Sequence, residues 1–468
     1  MEGDFPVVDR AVDVDRQAVG REQPGTGEEN GIGGHEFIFS RCLANEAPMA
    51  DSRRGVYDGP NGVPMATLPK TDIVARLRAQ RIEIPSWGFA ATGTRFGKFP
   101  QPWAATNLEE KLTDAGQAQK YMGILPAVAL HIPWDLPTAG MKDWTGVQAF
   151  AKSQGVTIGA INPNVFQDAD YQFGSFCHPD ARVRAKAVAH HKECIDIAKA
   201  TGSKALSLWY ADGTNYPGQD SFRERRQRML AAFQEVYAAL PDDMRLLMEY
   251  KFYEPAWYHT DLADWGAASL MCKKLGPKAT VLVDTGHHAL GTNIEWIVAS
   301  LLDEGILGGF HFNSRKYGDD DLTVGSINPH ELFLIYNELV DAESEGNGTV
   351  AGRCASQIAY MFDQCHAYKN TIEATIQSAV SVQEAYAKAL LVDRAALKQA
   401  RAACDVSGAE EVLKDAFNTD VRPLVKEVRE AMGIDPEPLK AFRASGYSEK
   451  AIAARTKKHA AMGAGGGF

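Results

Sequence analysis

A short β-rich run followed by an amphipathic stretch recurs eight times along this chain, and no other feature restricts its fold as tightly. The runs lie near 84–90, 126–132, 156–162, 204–210, 245–251, 280–285, 307–313 and 357–363. The stretches between them, such as NLEEKLTDAGQAQKYMG, DARVRAKAVAHHKECIDIAKATG, DSFRERRQRMLAAFQEVYAALP, NIEWIVASLLDEG and NPHELFLIYNELVDAESEG, begin on Asp or Asn. Several end on Gly, as helix caps require. Eight β–α units within ~300 residues predict an α/β fold of the closed (β/α)8 TIM-barrel type. A doubly wound open sheet is the competing architecture, weakened because no strand is followed by a G-x-G-x-x-G turn. Beyond residue 392 the strand signal vanishes, and VDRAALKQARAACD, AEEVLKDAFNTDVRPLVKEVREAMG and PEPLKAFRASG predict a C-terminal helical appendage.

The expected organisation is a flexible leader over 1–68, a catalytic barrel over 69–392, a helical arm over 393–458 and a disordered Gly-rich tail over 459–468. A net charge of −11 disfavours nucleic acid as a partner, because no basic stripe is available to displace counterions. The seven cysteines are scattered and include no C-x-x-C pair, which argues against disulfides or a thiolate zinc site and for a reducing, cytoplasmic setting. No apolar run reaches the ~20 residues needed to span a bilayer, and no signal pattern opens the chain.

The second half of the repeat ends its strands on acids and imidazoles. Glu249, Asp284, His311 and Asp363 close runs five to eight, and His287 or His288, Asp319 and Asp321 follow in the loops. Barrel chemistry sits at the C-terminal strand ends, so these groups converge there. Gathered carboxylates and imidazoles stay unsatisfied unless a divalent metal compensates them, and an oxygen-rich set suits Mn, Mg or Co. Asp319 and Asp321, two positions apart in extended chain, are expected to face one ion with Asp320 turned outward. Lys251 shares a strand face with Glu249 and is either the salt-bridge partner of one of these carboxylates or a donor to a substrate oxygen. The first half supplies Trp87, Trp134, Trp209 and His131 at strand ends, which reads either as core packing or as an apolar wall with an acid/base group.

PSWGFAATGTRFGKFP, LHIPWD, GSKALSLWYADGTNYPGQ, EYKFYEPAWY, LVDTGHH, GGFHFNSRKYGDDDL, LFLIYNELVDAE and DQCH together resemble the broad-specificity L-rhamnose isomerases, within the xylose-isomerase-like TIM barrels. The resemblance runs from about residue 85 to about 455. It implies an Mn-dependent homotetramer that interconverts aldoses and ketoses with two divalent ions per subunit. By that resemblance Glu249, Asp284, His311 and Asp363 hold the first ion, and His287, Asp319 and Asp321 the second. Trp87, His131, Trp209 and Lys251 match substrate-contacting positions, and Phe96 matches a loop aromatic that reaches a neighbouring subunit's pocket. Lys251, His131 and Asp363 are the expected catalytic positions, His131 for ring opening and Lys251 as donor near the substrate's O1. The implied reaction is L-rhamnose to L-rhamnulose, or related pairs such as D-allose and D-psicose, by a metal-assisted 1,2-hydride shift.

The chain departs from the pattern in its long leader, in an apparent insertion at 343–357, in Cys365 where Ser is familiar and in Thr285 where Leu is common. Rival readings are a ketose 3-epimerase, for which only Glu249 of a glutamate pair is evident, and a non-catalytic metal- or sugar-binding protein. An AP-endonuclease shares the scaffold but needs a basic surface that this chain lacks.

Overall fold

The computed structural model describes residues 68–91, 93–94, 97–98, 101–254, 258–365 and 368–462, which fall in one compact unit. The expected leader, apart from Leu68, and the residues beyond Met462 lie outside that set, as do Phe96 and His366. Eight parallel strands close into a barrel: β1 (Glu83–Pro85), β2 (Ala127–Ile132), β3 (Thr157–Pro163), β4 (Ala205–Leu208), β5 (Arg245–Glu249), β6 (Ala279–Asp284), β7 (Leu307–Phe312) and β8 (Ala359–Phe362). Each strand pairs with its neighbours in the sequence of eight, and β1 pairs with both β2 and β8. The open-sheet alternative is thereby excluded.

Helices α1 (Lys70–Ala79), α2 (Leu108–Met122), α3 (Trp144–Ser153), α4 (Ala181–Thr201), α5 (Phe222–Ala239), α6 (Trp265–Leu275), α7 (Ile294–Asp303), α8 (Pro329–Glu345) and α10 (Thr371–Leu390) surround the strands. The segment read as an insertion finishes α8 and adds α9 (Val350–Ala355) before β8. Capping follows the sequence signals: Asn107, Asp143, Asp180, Asp264, Asn293 and Asn328 each accept a backbone N–H of the first turn. At α5 the cap is Ser221, one residue later than the leading Asp suggested, and Asp220 pairs instead with Arg225 and Arg228. Gly123 and Gly202 end α2 and α4 at φ 69° and 81°, the left-handed turn that side chains disfavour.

One sequence expectation changes. The first run was expected to stay extended over 84–90, yet the strand stops at Pro85 and a 3-10 turn follows over Ser86–Phe89. Pro85 has no N–H to donate onward, so the ladder ends there and Trp87 swings to the barrel mouth. On α4, His191 is fully buried between the Ala187 carbonyl and the Tyr210 hydroxyl, because the inner face of the helix turns it toward the sheet.

After β8 the chain continues as α11 (Arg394–Ala402), α12 (Val406–Asn418), α13 (Arg422–Ala431), α14 (Pro438–Ala444) and α15 (Tyr447–Met462). Arg455 on α15 forms a buried bidentate pair with Asp114 on α2, at 2.8 and 2.9 Å, which ties the arm to the barrel. No described helix is long and apolar enough to cross a membrane.

Apolar packing between strands and helices forms the main core, while Ala129, Ala160 and Met361 form a separate cluster with Trp87 and Ala205. Below it lies Glu83, whose carboxyl accepts the Ala160 N–H at 2.7 Å. That N–H sits where the β2–β3 register shifts, between the pairs Val128–Ile158 and Leu130–Ile161. A bulge leaves a backbone donor without its ladder partner, and the Glu83 carboxyl takes that role across the barrel. Gly159 permits the approach, since a Cβ there would collide with the same carboxyl.

Burial pushes Glu83 up to about 7, only partly offset by the Ala160 bond. A raised carboxyl favours its neutral form in the fold, so its contribution is complete below the ordinary value of 4.5 and is lost as pH rises through about 7. Glu83→Gln keeps the acceptor without the charge. Its stability relative to the parent is expected to improve by roughly 1–3 kcal/mol between pH 6 and 8.5, read by thermal melts. A constant difference across that range would contradict a buried titrating carboxyl.

Candidate metal centre

Strand alternation aims every second side chain at the barrel axis, and the last inward positions of β5 to β8 carry the charge. Ligand atoms of Glu249, Asp284, His311 and Asp363 all lie within 4.8 Å of one another, and so do those of Asp284, His287 and Asp319. Asp284 belongs to both groups. His311 Nδ1 stands 3.2 Å from Glu249, 3.6 Å from Asp363 and 3.9 Å from Asp284. His287 Nε2 stands 3.4 Å from Asp319 and 4.0 Å from Asp284. The ambiguity of the His pair is resolved by geometry: His287 faces the acids, while His288 turns to the Tyr250 hydroxyl at 2.6 Å. His287 Nδ1 meets the Tyr250 carbonyl at 3.0 Å, which frees Nε2 for coordination.

Two buried carboxylate oxygens at this centre have no hydrogen-bond partner, Asp284 Oδ2 and Asp319 Oδ1. Buried acceptors left bare among like charges carry a penalty that a divalent cation removes, so the donor set fits hard metal ions. The other Asp284 oxygen is held by Gly286 N–H at 2.6 Å and Asn313 Nδ2 at 3.0 Å.

The electrostatics agree. Burial raises Asp284 to about 7, opposed by His287 and reinforced by Glu249, Asp319 and Asp363. Burial likewise lifts Asp363 to about 6. Burial would lower both imidazoles, but the carboxylates of Asp284 and Asp319 hold His287 near 10, and Glu249, Asp363 and Asp284 hold His311 near 9. Burial opposes ionisation of Glu249 and Asp319 too. Even so, His311 and His287 keep Glu249 below its usual range, and His287 with Lys251 keeps Asp319 well below.

Asp319 and Asp321 do not act as the matched pair that extended chain implies. Asp321 has φ 47°, a left-handed residue that breaks the alternation, and its side chain lies 3.5 Å from Asn313 rather than within either ligand group. Burial and the neighbouring acids push its carboxyl well up. Asp320 faces outward and binds the N–H groups of Lys316 and Tyr317. Lys251 Nζ sits 2.8 Å from Asp319 and 5.0 Å from the Trp209 ring centre, so the salt bridge and a place at the mouth coexist. Cys365 is half-buried, with its N–H on the Asp321 carbonyl at 3.4 Å.

The other half of the mouth is aromatic. His131 stacks on Trp134 at 3.8 Å and meets the edges of Trp87 and Phe166 at 5.6 Å each. Phe166 contacts Trp209 at 4.8 Å. Burial, with the Lys111 charge beside it, drives His131 down to about 3, so the ring is a neutral imidazole. Trp87 is more than wall: its indole N–H donates to Asp363 at 2.9 Å. Asn313 escaped the sequence reading although it stands two residues after His311, in the same parity; Phe166 carried no such signal.

A family profile described as xylose isomerase-like TIM barrel matches residues 124–336. A probable sugar isomerase of Rhizobium meliloti is 45% identical over 402 residues, covering 85% of this chain and 90% of the relative. Another from Mesorhizobium japonicum is 44% identical over 401 residues, with the same coverage. The solved structure of an L-ribulose 3-epimerase shares the fold at TM-score 0.50 and 13% identity, over 66% of this chain and 95% of that one.

Both imidazoles carry a proton at neutral pH and must lose it to coordinate. Binding of Mn(II) at pH 7.5 is expected to release two or more protons per chain, from the imidazoles and from the raised carboxyls of Asp284 and Asp321, seen by calorimetry in buffers of different ionisation enthalpy, and affinity should fall as pH drops. Binding without proton release would place the metal elsewhere.

Proposed function

The chain belongs to the xylose isomerase-like TIM barrels, in one family with those probable sugar isomerases, and from that premise we propose that it is an aldose–ketose isomerase of the L-rhamnose isomerase type. The observation that carries the reading is the pair of ligand groups joined through Asp284, opposite an aromatic half-mouth. Two divalent ions, Mn(II) by preference, are assigned to Glu249, Asp284, His311 and Asp363 and to His287, Asp319 and Asp321; when bound they supply Lewis-acid polarisation of the carbonyl and stabilise the alkoxide. Asp321 enters the second set through its place beside Asn313 and the neighbouring acids, not through the tight cluster.

The chain's own groups divide the remaining work. His131, neutral at the mouth, takes the proton of the anomeric hydroxyl and returns it to the ring oxygen as the bond from C1 to that oxygen breaks. The faces of Trp87, Trp134 and Trp209 shelter sugar C–H groups and exclude water. Lys251, held by Asp319, donates to the oxygen at the reacting carbon. No second glutamate stands among the ligand groups of the described residues, so the base pair of a 3-epimerase is not met. Hydrogen then passes from C2 to C1 as a hydride, while the proton of the C2 hydroxyl is lost from O2 and one is gained at O1, so that C2 becomes the carbonyl and C1 the alcohol. Phe96 and a homotetramer complete the reading by family resemblance.

The deciding experiment is a sugar panel with EDTA-stripped protein refilled with Mn or Co. Conversion of L-rhamnose to L-rhamnulose, with little deuterium entering product in D2O, is expected. Conversion of no aldose under either metal, or interconversion of ketoses at C3 alone, would overturn it. Lys251→Met should lower kcat by roughly 10²–10³ in protein saturated with metal, as for loss of one donor to developing charge.

A further inference from the structure

Between the aromatic half-mouth and α2 lies a buried ion pair to which the reaction as drawn gives no task. Lys111 Nζ binds Asp135 Oδ1 at 2.7 Å, and the two side chains are 6% and 0% exposed. Lys111 stands on the face of α2 that otherwise buries Leu108, Leu112 and Ala115. Taking both charges out of water costs more than a matched apolar pair would, so stability alone is a poor reason to keep them.

What the pair fixes is visible in the other Asp135 contacts. Oδ2 accepts the His131 N–H at 2.7 Å and the Ser86 hydroxyl, while the Asp135 N–H returns to the His131 carbonyl at 2.8 Å. Both carboxylate oxygens are therefore spent on backbone, hydroxyl and ammonium donors, and none reaches the imidazole. The His131 ring is left with Nδ1 unpartnered and is oriented by packing against Trp134, Trp87 and Phe166. Ser86 opens the turn that carries Trp87, whose indole reaches Asp363. One carboxylate thus joins the end of β2, the turn after β1 and helix α2.

We propose that Asp135, Lys111 and Ser86 are positioning residues for His131: the buried pair locks the strand end so that an imidazole without a hydrogen-bond partner is presented to the sugar ring. The catalytic part of this inference rests on the isomerase reading, whereas the positional part does not. Without Lys111, Asp135 becomes an unpaired buried charge. Without Asp135, the His131 N–H and Ser86 hydroxyl lose their acceptor, and the two strand ends are free to part.

Asp135→Asn is the isosteric test, and Ser86→Ala is the milder variant should the first fail to fold. In crystal structures of these variants the His131 ring is expected to leave its stack on Trp134. Turnover of a ring-forming aldose should fall roughly tenfold or more with KM nearly unchanged, and either substitution should cost less than about twofold further in a His131→Ala background, because residues acting through one group are not additive. A ring that stays stacked in the variants, or a loss that adds fully to that of His131→Ala, overturns the proposal. If the parent protein converts no aldose, the isomerase reading fails by itself, and the position of the ring in the variant structures still decides the inference.

Discussion

Asp284 is the residue on which the rest of the mouth depends. Its Oδ1 is held by Gly286 and Asn313, and its buried Oδ2 has no donor at all, yet it faces the imidazoles of His287 and His311. A carboxylate fixed on one oxygen and bare on the other suits a metal ligand, and it stands where the two groups that could hold an ion meet. The barrel makes this affordable. Its closed sheet fixes the ends of β6 and β7 in register, Asp284 opposite His311, so acids that repel one another cannot move apart.

The mouth divides along the order of the strands. β5 to β8 supply the charged half, and β1 to β4 supply indoles, a phenyl ring and one imidazole kept neutral by burial. Besides the strand pairing, side chains link the halves at the mouth through Trp87 with Asp363 and Lys251 with Trp209. On the proposed reading a polyol meets both kinds of surface, hydroxyls toward the acids and C–H faces toward the rings.

Much of this was legible in the chain because alternation is a local property. The inward parity of Glu249 and Lys251 and the strand-end positions of Asp284, His311 and Asp363 follow from counting residues along short apolar runs. Counting fails where the backbone leaves the extended region. It does not describe Asp321, whose left-handed φ breaks the alternation, and it overextended the first strand past Pro85.

The sequence by itself determined the eight-fold β–α order, the helix caps and the half of the barrel on which the acids lie, since each depends on residues close together in the chain. Only the tertiary structure decided which oxygen of Asp284 is free, that His287 rather than His288 turns inward, and that Lys111 and Asp135 pair beneath His131. Those outcomes depend on contacts between residues 24 to 38 positions apart, as in Lys111–Asp135 and Tyr250–His288, and on burial. Neither distance nor burial is written in any local pattern, because both arise only when the ring of strands closes.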